Sequence, residues 1–172
     1  MAADFLFKSK DLINWEFVHS FIEDDIFTRI GDDGACPYFW PIGDQHILLF
    51  FSHMSGGQYI LGSYDIGKQK FSAEKHGLFN FGAAHPSGVH APSAAPCEDG
   101  SVIVIFNMNK GKKCDGWDQI MTLPRKLSLN SHGCLEITPA GDLQSLRDKH
   151  THIRHQSIQH NEELKIQEIH SN

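Results

Sequence analysis

The chain has 172 residues, 40% of them hydrophobic and 21% charged, with 15 Lys+Arg against 21 Asp+Glu for a net charge of -6. This is the balance of an ordinary globular chain, which argues against disorder, and no apolar run approaches the roughly 20 residues a bilayer span needs. The basic residues are scattered, so the counterion release that drives nucleic-acid binding has no platform; neither nucleic acid nor membrane is expected as a partner.

Met1 to Lys10 lacks the long apolar stretch of a signal peptide, so with Met1 as the natural start a cytoplasmic protein is expected. Ser9-Lys10-Asp11-Leu12-Ile13-Asn14-Trp15 reads as a polar turn in which Asp11 bonds nearby backbone amides, followed by an aromatic that packs between sheets. Asp32-Asp33-Gly34 reads as a second polar turn with Asp32 solvated. Strands are predicted over His46 to Met54, Gln58 to Asp65, Ser101 to Asn109 and Gln119 to Leu129. The turn clusters that bound them, Ser55-Gly56-Gly57, Glu98-Asp99-Gly100 and Asn130-Ser131-His132-Gly133, favour antiparallel hairpins and meanders over parallel βαβ units. Ile47 to Phe51 and Val102 to Phe106 are continuous apolar runs, the pattern of strands covered on both faces.

Ala140 to Arg147 is a short turn or helix, with Leu143 and Leu146 three residues apart. From Asp148 onward the composition turns polar, with His150, His152, His155 and His160, before a last strand-like stretch at Leu164 to Ile169. The reading is therefore a main body over 1–147, then a linker and a first strand of a further domain over 148–172. The class is all-β, and a sandwich, a closed barrel or a propeller would each satisfy the periodicity.

Four cysteines, Cys36, Cys97, Cys114 and Cys134, form no C-x-x-C pair. Reduced, partly buried thiols are the default expectation, with one or two disulfides left open. His150, His152 and His155 sit in one polar segment without an acidic or cysteine partner in register, so neither a metal site nor any other cofactor is expected.

The turn at Ser9 to Trp15 is followed in order by Ala35-Cys36-Pro37-Tyr38-Phe39-Trp40-Pro41-Ile42, His46-Ile47-Leu48-Leu49-Phe50-Phe51-Ser52, Tyr59 to Asp65, His90-Ala91-Pro92-Ser93, and Gly116-Trp117 through Met121-Thr122-Leu123-Pro124-Arg125-Lys126-Leu127. Together these resemble glycoside hydrolase family 32, the invertase and β-fructofuranosidase family. Its corresponding motifs are Ser-x-Asp-Leu-x-x-Trp, Glu-Cys-Pro-Asp, Leu-Leu-Phe-Ser, Tyr-Ala-Pro-Gln and Gly-Trp-x-x-x-Met-x-Leu-Pro-Arg-Glu-Leu. The resemblance runs from Leu6 to about Arg147 and implies a partial five-bladed β-propeller of about three blades, leading through a linker into the first strand of a C-terminal β-sandwich. It also implies a carbohydrate partner, a central funnel as active site and no cofactor. The missing N-terminal blades, or self-association, would cover the exposed blade faces.

Retaining glycoside hydrolysis uses one carboxylate as nucleophile and a carboxylic acid as proton donor. The family's Asn-Asp-Pro-Asn and Arg-Asp-Pro motifs do not occur in these residues, and Arg147-Asp148-Lys149 falls in the linker. Ala35 stands at the position of the acid/base Glu, where a methyl group has no proton to give; Asp33, two residues earlier, shares its face but is displaced by roughly 6–7 Å along the strand, too far to stand in without a rearranged loop, so the polar-turn reading comes first and an acid role second. The expected function is β-fructofuranosidase-type hydrolysis, with this chain truncated and inactive as given; the alternatives are a non-catalytic carbohydrate-binding propeller and a different glycosidase or phosphorylase on the same scaffold. Tyr38 replaces the family's Asp after Cys-Pro, and Asn107-Met108-Asn109 stands where Gly-Trp-Met is usual. His90, Trp117, Tyr38, Asn107 and Asn109 are the candidate sugar-binding residues, since they combine hydrogen-bonding edges with apolar ring faces.

Overall fold

The computed structural model describes residues 5–23, 25–79, 88–109, 115–116, 119–147, 152 and 154–165. The described residues form twelve strands: β1 (Phe5–Lys8), β2 (Glu16–Ser20), β3 (Ile22–Glu23), β4 (Ala35–Ile42), β5 (Gln45–Ser52), β6 (Gly56–Asp65), β7 (Lys70–Leu78), β8 (Gly88–Pro96), β9 (Val102–Asn109), β10 (Ile120–Met121), β11 (Arg125–Leu129) and β12 (Leu135–Pro139). The only helical element among the described residues is a 3-10 turn at Gln144–Leu146, and Leu146 is exposed there. The chain divides into two units, Met1–Ala140, which holds the twelve strands of the described residues, and Gly141–Asn172.

The architecture is all-β and is that of a partial β-propeller. Strands β4 to β7 form one four-stranded antiparallel meander, with β3 added in parallel beyond β7. Strands β8 to β12 form a second meander in which β10 and β11 share one edge of β9 and β8 takes the other. A further hairpin, β1–β2, forms its own two-stranded sheet, tied to the β6–β7 turn region by the His19 ring 3.1 Å from the Lys68 carbonyl and by Lys70 Nζ donating to the Ser20 carbonyl at 2.5 Å. The two first strands, β4 and β8, are the sheet elements that approach each other most extensively, as blades do at a hub. The Trp40 indole N–H donates to the Ala94 carbonyl at 3.1 Å, and the Gly43 amide to the Gly100 carbonyl at 2.9 Å, joining the blades by polar contacts.

The main core lies between the blades. Ile42, Ile47, Leu49 and Leu61 from the first meet Val89, Val102, Val104, Phe106 and Leu127 from the second. A second core, Leu48, Phe50, Ile60 and Phe71 backed by Phe21, Phe39 and Tyr64, covers the opposite face of β5 and β6. Strand alternation sends Ile47 and Leu49 to one core and Leu48 and Phe50 to the other, so β5 is covered on both faces as its apolar run predicts. Each such buried side chain contributes about 1.5–3 kcal/mol.

Several expectations change. Val102, Val104 and Phe106 are fully buried but Ile103 and Ile105 are only half-buried, because no second aromatic layer among the described residues backs that face of β9 as Phe21, Phe39 and Phe71 back β5. Gln119 to Leu129 is not one strand: Thr122-Leu123-Pro124 interrupts it, proline being unable to donate to the ladder. Trp15 does not pack between sheets; it is 56% exposed and its indole N–H closes the turn on the Leu12 carbonyl at 3.3 Å. The Asp11 role holds, its carboxylate accepting from the Ile13 and Asn14 amides at 2.9 and 2.8 Å. Cys36 and Cys134 are exposed free thiols rather than partly buried ones, and Cys97 is a half-buried free thiol. Cys114 and His150 lie outside the described residues, as does most of the last predicted strand; its described start, Leu164 and Lys165, is not in a strand.

Candidate functional site

The first strands of the two blades carry the same irregularity at the same place. In the β4–β5 ladder Ala35 faces Phe51 and Tyr38 faces Leu49, so three steps on β4 match two on β5. In the β8–β9 ladder His90 faces Asn107 and Ser93 faces Ile105, again three against two. The residue after each start, Cys36 at φ 52° and Ala91 at φ 46°, takes a left-handed backbone that non-glycine residues rarely adopt. Proline follows in both cases, Pro37 and Pro92. Such a residue costs on the order of 1–3 kcal/mol, and a bulge bends its strand and re-aims the neighbouring side chain. Ala35 and His90 therefore occupy equivalent positions in successive blades, with Phe51 and Asn107 as their equivalent cross-strand partners.

In the second blade this position is polar. The His90 ring lies with Nδ1 3.0 Å from the Asn107 carbonyl, which only accepts, so Nδ1 carries the hydrogen. Nε2 is then an acceptor, and the Asn107 amide nitrogen lies 3.4 Å from it and 3.0 Å from Oε1 of Gln119. The result is a small amide and imidazole cluster at one end of β8, β9 and the segment entering β10.

In the first blade the equivalent pair is apolar, Ala35 opposite Phe51, but the adjoining loop supplies carboxylates. The Phe51 ring touches His53 at 5.0 Å and His90 at 5.3 Å between centroids, so it bridges the two blades' polar groups. Asp33 accepts from the His53 amide at 2.8 Å and lies 2.7 Å from His53 Nδ1. Burial would raise the Asp33 carboxyl, but the His53 N–H groups and the imidazole's charge outweigh it, leaving Asp33 below the usual carboxylate range. A carboxylate held ionised in this way accepts protons poorly and donates none near neutral pH.

Asp32 differs from expectation more sharply. It is 6% exposed rather than solvated. Its carboxylate accepts from Ser52 Oγ and Ser55 Oγ, both at 2.6 Å, and from the Arg29 amide at 2.8 Å. Burial alone would raise its carboxyl; the Ser52 and Ser55 hydroxyls and the Arg29 amide and charge lower it overall. Gln58 continues the network by donating to Ser55 Oγ at 2.5 Å, and its Oε1 lies 2.7 Å from His76 Nε2. Burial lowers the His76 pKa, against the opposing pull of Asp25 and Asp32. Asp32 thus pins residues 29–34 to the β5–β6 turn and fixes where Asp33 begins.

Of the sequence candidates, the structure brings Asp33, Ala35, His90 and Asn107 to one end of the adjoining blades, linked through Phe51. Tyr38 is set one step further in, half-buried against the inter-blade core rather than among the polar groups. Asn109 pairs with Gly88 at the end of β9, its side chain lying outside the described set, and Trp117 lies outside the described residues altogether. Sequence reasoning missed His53, Gln119 and the Asp32 network. The available signal was a polar Ser52-His53 directly after a buried apolar run, opposite two adjacent aspartates. Among the described residues no three His, Cys, Asp or Glu side chains converge as a metal would require.

The family model of the glycosyl hydrolases family 32 N-terminal domain matches residues 3–139. Sucrose-6-phosphate hydrolase of Staphylococcus xylosus is 29% identical over 164 residues, covering 82% of this chain and 30% of that protein. Sucrose-6-phosphate hydrolase of Escherichia coli is 30% identical over 139 residues, covering 72% of this chain and 28% of that protein. Among solved structures, a glycoside hydrolase family 32 protein from Bifidobacterium adolescentis matches with a TM-score of 0.58 at 14% identity, over 82% of this chain and 24% of that one. The chain spans about 30% of the length of the curated relatives it matches.

Proposed function

The chain belongs to glycoside hydrolase family 32, and from that premise we propose that it forms the carbohydrate-binding wall of a retaining β-fructofuranosidase-type hydrolase acting on sucrose or a related fructoside. The observation that supports this reading is the paired bulge, which sets Ala35 and His90 at equivalent ladder positions, with the Asp33–His53 pair beside the first, Asn107 and Gln119 beside the second, and the Phe51 ring between the two groups. Neutral hydrogen-bonding edges beside a ring face suit a sugar, whose hydroxyls need directional partners and whose C–H face needs an apolar one. The similarity to two sucrose-6-phosphate hydrolases adds sucrose 6-phosphate to the substrates to test. On the same reading the nucleophilic carboxylate comes from the whole protein outside these residues, so the chain alone is inactive. Residues 148–172 then lead out of the propeller toward a further domain. The test is release of fructose from sucrose, sucrose 6-phosphate, inulin and levan by the whole protein; cleavage of arabinosides or mannosides in place of all fructosides would overturn it.

A second reading has its own observation. The acid/base position is a methyl group, Ala35, and loss of a positioned general acid forfeits about 10²–10⁴ in rate. This favours a propeller that binds fructosides without cleaving them. Calorimetric binding of fructosides with no fructose release would select it, and an Ala35→Glu variant that leaves turnover unchanged would remove the idea that Ala35 disables the site.

A further inference from the structure

We infer that His53, oriented by Asp33, is the proton donor of this site, filling the role that the methyl group of Ala35 cannot. The inference rests on the hydrolase reading above. His53 follows Phe51 by two residues and Asp33 precedes Ala35 by two; since Ala35 and Phe51 are cross-strand partners, the dyad extends the β4–β5 ladder one rung past the vacated position. Two bonds to one carboxylate fix it: the His53 amide to Asp33 Oδ1 at 2.8 Å, and His53 Nδ1 to Oδ2 at 2.7 Å.

A carboxylate kept ionised only accepts, so the hydrogen on that second bond belongs to Nδ1. This settles the tautomer and leaves Nε2 as the atom that gains and loses a proton, as a carboxylate-oriented imidazole does in acyl-transfer triads. Among the described residues nothing bonds Nε2, and the side chain is 72% exposed, so a ligand in the cluster has access to it. The Phe51 ring packs against the His53 ring in a T-shaped contact, 5.0 Å between centroids, and against the His90 ring at 5.3 Å. The titratable groups facing His53 are Asp33 directly and His90 across Phe51; Asp32 is next in sequence but its carboxylate is turned to Ser52 and Ser55. An exposed ion pair of this kind contributes little to stability, so its geometry is free to serve chemistry.

In the step proposed, Nε2–H of the imidazolium gives its proton to the oxygen joining the fructosyl carbon to the leaving sugar. The C–O bond breaks, its electron pair stays on that oxygen, and a carboxylate of the whole protein bonds to the fructosyl carbon. Water then displaces the carboxylate, passing one proton to the neutral Nε2, so imidazolium and carboxylate are both regenerated and one water is consumed. His53 is the catalytic residue here and Asp33 a positioning residue.

The experiment compares the whole protein with its His53→Gln and Asp33→Asn variants on sucrose and on p-nitrophenyl β-fructofuranoside, whose leaving group departs without a proton. His53→Gln is expected to lower kcat/KM, which reports the steps up to the fructosyl–carboxylate intermediate, by about 10²–10⁴ on sucrose and by less than about tenfold on the nitrophenyl substrate. Asp33→Asn is expected to lower kcat/KM on sucrose while sparing the nitrophenyl substrate, and Asp33→Glu, which keeps the carboxylate, to recover part of that loss. Equal losses of kcat/KM on both substrates, or an unchanged kcat/KM for sucrose in His53→Gln, overturn the inference and leave the hydrolase reading standing. A wild-type protein that cleaves neither substrate overturns both.

Discussion

Replacing Asp32 with alanine tests whether the buried carboxylate, rather than the exposed one beside it, holds the site loop. Asp32 is 6% exposed and accepts three bonds, from Ser52 Oγ at 2.6 Å, Ser55 Oγ at 2.6 Å and the Arg29 amide at 2.8 Å. Bonds to a charged acceptor are worth about 1.5–3 kcal/mol each, and desolvating the carboxylate offsets part of that gain. Both hydroxyls stay in partial use after the change, Ser52 Oγ by accepting from the Met54 and Ser55 amides and Ser55 Oγ from Gln58. The expected net loss is about 3 kcal/mol, against at most about 1 kcal/mol for Asp33→Ala, whose partner His53 is exposed. Urea unfolding of both variants at neutral pH, followed by tryptophan fluorescence, measures the difference. The sign with pH is also set. A lowered carboxyl stabilises the fold above its unfolded value of about 3.9 and ceases to do so as pH falls through the folded value, so the gap between wild type and Asp32→Ala narrows on acidification. A loss below about 1 kcal/mol, or a gap that does not vary with pH, would refute the reasoning.

Gly62→Ala is expected to destabilise by about 2–4 kcal/mol in the same assay, because a Cβ there runs into the Ser72 carbonyl and lies 3.1 Å from the Phe71 ring at the β6–β7 bulge. His46 and His76 are both held neutral by burial, so stability should fall as pH drops below the free imidazole value of about 6.5, and His76→Gln should flatten part of that fall in thermal melts. Ile120, Met121, Leu123 and Ile137 stand exposed at 39%, 58%, 80% and 43% on the second blade, so the isolated 172-residue chain should self-associate; a monodisperse monomer in light scattering would count against this.

Much was legible in the residues alone. The long apolar run of β5 announced a strand covered twice, because alternation of side chains between faces is a local property, and the Ser55-Gly56-Gly57 cluster after it announced the hairpin turn into β6. The ordered motifs from Ser9 to Leu127 were enough to point to the family, since each is a short contiguous segment. Strands without an apolar run were not legible: β7 contributes a single fully buried side chain, Phe71, and β8 contains Pro92 and Pro96, so neither carried the expected signal.

The site was decided only by the tertiary structure. That Ala35 and His90 are equivalent follows from two ladder registers, and a bulge is a relation between strands that neither strand records by itself. Asp32 and Asp33 are neighbours in an unremarkable polar triplet, yet one is buried against Ser52 and Ser55 and the other clasps His53, twenty residues away. Hydrogen-bond energies depend on which groups meet and on how much water remains between them. Residue identity fixes the supply of donors and acceptors; only the packed sheets decide which of them face one another.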